Sequence, residues 1–379
     1  MTTLGTRISV HFIYPAFHNA PVSLSFDDQF AYRPSGSTAA AIITILHKVT
    51  HLLTNPYVVV IALDFSKAFD TVRHATLLNK FAQLDIPDCV YNWLVDFFTD
   101  HTHKTKYDNQ MSSLKFISAS IIQGSGVGPT SYVVNASDLQ AVTEGNELCK
   151  YADDTYLIIP AVNVDSRSLE IANIKKWAEA NNLQLNLKKS EEIIFVDKRR
   201  KTVFSVPDEI PMIKRVQSIK ILGVTLTNGL SVSQHIQKSL QHLLKSYMHC
   251  EFYALMACAS KHCNPFSDPV IAKLMYASSA WWGFASVSDG QKIEAFIRRS
   301  TRAGFCSELS FDNLCNLADD QLFHKILKDT THVLHHLLPP VTSHGYSLRL
   351  RKHNRQLPEH TTRLINCNFI IRMLYCDSY

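Results

Sequence analysis

Three aspartates have the type and the setting to do chemistry. Asp64 closes the run Tyr57-Val-Val-Val-Ile-Ala-Leu63, and Asp153-Asp154 sits in Lys150-Tyr-Ala-Asp-Asp-Thr155, between two short apolar stretches. A β-branched run too short for a buried helix suits a buried strand. Apolar stretches around a short polar turn suit a hairpin. If strand and hairpin are neighbours, the three carboxylates meet at one edge of a sheet. Carboxylate oxygens are hard ligands suited to Mg²⁺, which keeps several waters and takes phosphate oxygens as further ligands. Two such ions about 3.5–4 Å apart stabilise both the attacking and the leaving oxygen of an in-line phosphoryl displacement. Singly, each signal has a plainer reading: Asp-Asp in a hairpin serves turn geometry, and an Asp after an apolar strand serves equally as a cap.

The elements that must carry these residues can be read from periodicity. Ala39 to Leu53 has helical spacing until Asn55-Pro56 stops it, and Leu77 to Phe98 reads as helical with a break near Pro87. Leu114 to Ile122 reads as a strand, followed by a Gly/Ser/Pro-rich turn over Gln123 to Pro129 that opens a helix toward Leu139. Leu148 to Ile159 is the expected hairpin. Leu169 to Asn181 reads as an amphipathic helix, Glu192 to Val196 as a strand, and Ile219 to Thr227 as a strand pair. After Ser231 helix formers take over, and Pro339-Pro340 marks a break before a basic tail.

Hydrophobic content of 46% and charged content of 19% over 379 residues exclude a disordered or fibrous chain and allow two or three compact units. The net charge is only +5, yet Lys188–Lys201 holds six basic against three acidic residues, and Val341–Tyr379 six against two. Clustered Lys/Arg is the footprint of a phosphate-backbone partner, although each patch alone reads as readily as solvated surface. Nine cysteines are scattered without a CxxC pair. Cys258 and Cys263, with His262 between them, lack a second ligand pair, so reduced and mostly buried thiols are expected rather than a zinc site. That suits an intracellular setting, cytoplasm or nucleus. The longest clean apolar run, Tyr57 to Leu63, is far short of the roughly 18 residues of a membrane span. Ile8 to Phe17, interrupted by His11 and Pro15, makes a poor signal peptide.

In combination the motifs resemble the reverse transcriptase of LINE-type (non-LTR) retrotransposons, in the Jockey-like branch. Ala62-Leu-Asp-Phe-Ser-Lys-Ala-Phe-Asp-Thr-Val-Arg-His74 is similar to motif A, Ile121-Ile-Gln-Gly-Ser-Gly-Val-Gly-Pro129 to motif B, and Lys150–Thr155 to motif C. Leu185-Asn-Leu-Lys-Lys-Ser-Glu-Glu-Ile-Ile-Phe195 is similar to motif D and Ile219-Lys-Ile-Leu-Gly-Val-Thr-Leu226 to motif E, the primer grip. Upstream, Gln29-Phe-Ala-Tyr-Arg-Pro-Ser-Gly-Ser-Thr38 resembles the fingers motif before A. The six motifs run in order from Gln29 to about Leu226.

This resemblance implies an α+β fold: a palm with an antiparallel sheet backed by helices and partial fingers over 1–226, a helical thumb-like region over 227–285, and a helical, basic C-terminal region over 286–379. It implies that Asp64 and Asp153 ligate two Mg²⁺ ions (or Mn²⁺), with the Phe65 carbonyl as a further ligand and Asp154 in support. Phe69, five residues after Asp64, falls at the steric gate that rejects a ribose 2′-hydroxyl, its plainer reading being a core aromatic. Gln123 and Gly124 would lie against the nascent base pair. Arg33 would touch the triphosphate, or else is a surface arginine. Lys189 would protonate the leaving pyrophosphate, with Lys188 adjoining so that the role can slip by one. Leu222-Gly223 would form the turn that supports the primer terminus. The implied partners are an RNA template, a DNA primer or target, and dNTPs, with no membrane.

Two departures stand out. Ile122 replaces the usual motif B proline, and only 28 residues precede Gln29, so truncated fingers are expected. The alternative reading is an inactive, truncated retrotransposon remnant that only binds nucleic acid.

Overall fold

The computed structural model describes residues 2–122, 124–200, 203–256, 267–302, 310–342, 353–359 and 362–376. Its central sheet has five strands: β1 (Val58–Leu63), β2 (Glu147–Tyr151), β3 (Asp154–Pro160), β4 (Glu191–Phe195) and β5 (Lys214–Val216), in the order β5-β4-β1-β3-β2. The apolar run of β1 is buried at every position but Ala62, and β3 is buried from Thr155 to Pro160. A strand covered on both faces needs apolar side chains on both, which explains the unbroken Val/Ile runs where an alternating pattern would have left one face to water. β2 and β3 pair antiparallel with Tyr151 opposite Asp154, so Ala152 and Asp153 alone make the turn. Beside β2, Gln29 bridges Lys150 in parallel, with Phe30 N–H donating to the Lys150 carbonyl at 2.9 Å and Lys150 N–H to the Asp28 carbonyl at 2.6 Å.

The main helices are α1 (Thr38–Leu52), α2 (His74–Phe81), α3 (Asp88–Phe98), α4 (Gly128–Asn135), α5 (Arg167–Ala180), α6 (Ser233–Met256), α7 (Val287–Arg302), α8 (Phe311–Lys328) and α9 (Phe369–Tyr375). The helices, hairpin and strand pair expected from periodicity form within a few residues of their expected ends. The α+β architecture is the one implied, a palm sheet with helices followed by a mainly helical region.

One expectation fails. Of Leu114 to Ile122, only Lys115–Phe116 is strand, paired with Thr102–His103. Every residue from Thr102 to Phe116 is exposed, so no sheet covers this stretch and nothing extends the pairing.

The chain divides into two compact units: Met1–Ser37 with Val59–Glu192 and Val206–Arg215, and Thr38–Val58 with Ile193–Ser205 and Val216–Tyr379. The first is knitted by buried charges. Lys80 Nζ reaches Asp138 Oδ1 and Asn181 Oδ1 at 2.7 Å each, and Glu192 is gripped by Arg167 at 2.8 Å and Arg215 at 2.6 Å. In the second, α9 packs on α1, and Asn368 caps α9 while its amide donates to Thr50 Oγ1 at 3.2 Å. Also there, the strands β6 (Ser218–Ile221) and β7 (Val224–Thr227) form an antiparallel pair beside α6.

Candidate active site

Asp64 follows β1 and is fixed by its own backbone. Its N–H donates to Ser190 Oγ at 3.2 Å, its carbonyl accepts from Asn186 N–H at 2.8 Å, and Ser190 Oγ donates to the Asn186 carbonyl at 2.9 Å. The next two residues, Phe65 and Ser66, pair with Leu185 and Gln184. The motif D segment therefore fastens the end of the motif A strand.

The hairpin turn has its own anchor. Ala152 adopts a left-handed φ of 56°, a cost for any residue with a Cβ. The buried Gln29 Oε1 accepts from Ala152 N–H and Ala31 N–H, both at 3.0 Å. One side-chain oxygen thus satisfies the turn of the Tyr-Ala-Asp-Asp hairpin and the chain leading to Tyr32.

The carboxylates share one field. Asp153 is raised above the ordinary carboxyl range by burial and by the Asp64 charge, against the pull of its own backbone N–H. Asp154 is pushed up to about 6, by burial first and then by Asp153 and Asp64. As a residue Asp154 is exposed, so water screens part of this effect. Among the described residues, no three His, Cys, Asp or Glu side chains close into a ready metal cage. The donor set nonetheless fits a divalent cation: hard oxygens, held together against mutual repulsion that a cation would relieve.

Beside the acids a cavity of about 280 Å³ is lined by Tyr32, Phe69, Ile121, Ile122, Gly124, Gly128 and Pro129. Phe69, half-buried, stacks on Tyr132 with ring centroids 4.5 Å apart, and its carbonyl accepts from Ile121 N–H at 2.7 Å, tying motif A to motif B. Gly124 has φ 80°, and a Cβ there would meet nothing within 4 Å. The glycine answers a backbone requirement and leaves open space beside it. Gln123 lies outside the described residues.

The other expected site residues do not line this cavity. Arg33 turns its guanidinium onto the Phe26 and Gln29 carbonyls and does not line the cavity. Lys188 and Lys189 are both exposed; Lys188 lines a second cavity, of about 450 Å³, with Ser66, Lys175 and Glu179. Leu222 and Gly223 make the β6–β7 turn with φ of 44° and 91°, and Tyr276 donates its hydroxyl to the Leu222 carbonyl at 2.9 Å.

Three residues without an assigned role emerge with the site: Gln29, Tyr32 and Tyr132. Both phenols are raised by burial and by Asp153, and Tyr132 by Asp154 as well, which places them in the field of the acids. Gln29 and Tyr32 fall within the fingers motif, but nothing in their types announces these contacts.

Residues 10–226 match the family model for reverse transcriptase (RNA-dependent DNA polymerase). The chain belongs to this family. The chain is 31% identical over 220 residues to the RNA-directed DNA polymerase from mobile element jockey of Drosophila melanogaster, covering 55% of this chain and 24% of the relative. It is 30% identical to the jockey protein of Drosophila funebris (48% and 21% covered) and 25% identical to the probable RNA-directed DNA polymerase from transposon BS of Drosophila melanogaster (73% and 32%). The chain thus spans between 21% and 32% of the length of these relatives. Among solved structures, telomerase from Candida tropicalis aligns with a TM-score of 0.47 at 12% identity, covering 88% of this chain and 51% of that one. The LINE-type, Jockey-like resemblance carried by the motifs is therefore matched by the relatives. Reverse transcriptases generally use divalent metal ions. No helix among the described residues is long and apolar enough to cross a membrane.

Proposed function

We propose that this chain carries out RNA-directed DNA synthesis, joining a primer 3′-hydroxyl to the α-phosphate of a dNTP opposite an RNA template and releasing pyrophosphate. The observation that supports this best is the coupling of Asp64, Asp153 and Asp154 in one field beside the cavity walled by Phe69 and Gly124. Asp64, Asp153 and the Phe65 carbonyl would hold two Mg²⁺ or Mn²⁺ ions, with Asp154 in support. When bound, those ions supply charge stabilisation to the attacking and leaving oxygens.

The chain's own residues do the positioning. Gln29 and Ser190 hold the backbones that present the acids. Phe69, backed by Tyr132, would press against the sugar of the incoming nucleotide. Gly124, with Gln123, would leave room for the nascent pair, Arg33 would meet the triphosphate after leaving its carbonyl partners, and Lys189 or its neighbour Lys188 would donate a proton to pyrophosphate. Residues 1–226 are assigned to fingers and palm, 227–285 to the thumb with the Leu222-Gly223 turn as primer grip before it, and 286–379 to a C-terminal region.

The test is extension of a DNA primer on an RNA template with dNTPs and Mg²⁺ or Mn²⁺. The expected outcome is metal-dependent extension that Asp153→Ala abolishes. Extension that survives Asp153→Ala, or no extension with either metal, refutes the assignment.

A further inference from the structure

We propose that the two-stranded ribbon from His101 to Ile117 is a docking surface for a single-stranded polynucleotide, which under the reading above is the unpaired template next to the site. The inference rests on that reading for the strand's identity but not for its chemistry.

The ribbon is a two-level hairpin. Thr102 and His103 pair with Phe116 and Lys115, and Lys106 and Tyr107 pair with Met111 and Gln110. Ile117 N–H closes the base on the His101 carbonyl at 2.8 Å, and Ser112 N–H joins the two levels through the Thr105 carbonyl at 2.9 Å. All fifteen residues from Thr102 to Phe116 are exposed on both faces. A lone two-stranded hairpin is marginal in water, yet this one keeps Tyr107 84% and Phe116 77% exposed, with Met111 and Leu114 more than half open. These exposed rings and apolar side chains are open to contact by a partner.

The arrangement of those side chains selects the partner. Across the ribbon Phe116 faces Thr102, Tyr107 faces Gln110, and Met111 faces Lys106. Apolar side chains alternate with polar ones, so neither face offers the continuous apolar strip that a protein groove or a second copy would cover. The charge between His101 and Ile117 is positive, with Lys104, Lys106 and Lys115 against Asp108 alone, and His101 and His103 alongside. Separated aromatic rings among lysines are what an unpaired strand requires, since bases stack on the rings and phosphates meet the ammonium groups. At the strand rise of about 3.3 Å per residue the two rings sit roughly 20 Å apart along the ribbon, a span of several nucleotides.

Its root adjoins the cavity wall. His74 faces the Phe98 carbonyl with Nδ1 at 3.0 Å and the Ser120 carbonyl with Nε2 at 2.7 Å, clasping both stems. Arg73 bridges Ala119, and one residue beyond Ser120 the chain becomes the cavity wall at Ile121. The ribbon therefore springs from the segment that leads into the cavity wall.

The test uses the full chain in two variants, Tyr107→Ala/Phe116→Ala and Lys104→Gln/Lys106→Gln/Lys115→Gln. These positions are all exposed, and melting temperatures matching the parent confirm intact folding. Affinity is measured by fluorescence anisotropy for an unstructured RNA of roughly 16 nucleotides and for a blunt duplex, from about 50 to 200 mM salt. The expected loss for the aromatic variant is roughly 10- to 100-fold on the single strand, with duplex binding unchanged. For the lysine variant the slope of log K against log salt flattens by about 2, three contacts at roughly 0.7 each. Single-strand affinity equal to the parent in both variants overturns the proposal, as does a parent that self-associates in light scattering while the aromatic variant does not. These binding readouts separate the two readings. If the parent extends primers and the variants bind normally, only the ribbon proposal fails. If the variants lose the single strand while the parent extends nothing, the ribbon stands and the polymerase assignment falls.

Discussion

At the scale of single residues, the hairpin of acids depends on a side chain that is not acidic. Gln29 Oε1 is the partner of Ala152 N–H in a turn whose left-handed φ leaves that amide no strand partner. Gln29→Leu removes the acceptor from two buried N–H groups, and leaving such groups unpaired costs about 1–3 kcal/mol each at most. The expected result is a lowered melting temperature together with a raised Mg²⁺ requirement in primer extension. A melting temperature unchanged from the parent in Gln29→Leu would show that the tie is unimportant. Phe69 carries a second prediction. Its ring stands in the cavity wall with Tyr132 behind it, so Phe69→Val should let ribonucleotides compete with deoxynucleotides, read as the ratio of kcat/KM for the two sugars. An unchanged ratio removes the gate role. The motifs around Asp64, Asp153 and Phe69 were legible because each is a short contiguous run. Gln29 was not, because its partner lies 123 residues away and a glutamine in sequence gives no sign of what its oxygen meets.

At the scale of elements, β4 is held to α5 and to β5 by one buried carboxylate. Glu192 accepts from Arg167 and Arg215, and its side chain is 1% exposed. Removing one member of a buried ionic group strands the others, typically at about 3–5 kcal/mol. Glu192→Gln should therefore lower the denaturant midpoint severely, whereas replacing all three by apolar residues of like volume should not. Comparable stability for Glu192→Gln and the parent would contradict this. Periodicity revealed the elements themselves because their burial is strong: β1 is buried at nearly every position, and the Leu148–Ile159 hairpin came out as β2 and β3. It misread Leu114 to Ile122, where Leu114 and Phe116 have no core to receive them and Ile121 alone is fully buried.

At the scale of the whole molecule, long-range contacts decide what the chain's order conceals. Thr38–Val58 joins the unit built from Val216–Tyr379, and Asn368 reaches Thr50 across 318 positions. In that unit His47 is lowered from 6.5 to about 3, by burial and then by the neighbouring His51, against a hydrogen bond with Asn368. The unfolded chain takes up a proton on this histidine below 6.5 while the folded chain does not, so stability is full above 6.5 and falls with pH toward 3. Each pH unit in that window costs at most about 1.4 kcal/mol. His47→Gln should flatten this acid slope in denaturant titrations; an unaltered slope would assign it to other groups.

The His74 clasp has a consequence for how such chains can vary. Both stems of the ribbon end on one imidazole before the backbone turns toward Ile121. Length added or removed at the tip, around Asp108–Asn109, stays beyond that clasp and is not transmitted to the acids. Lineages could lengthen or trim this arm while the chemistry stays constant, and an engineer could splice a reporter peptide there with the same freedom.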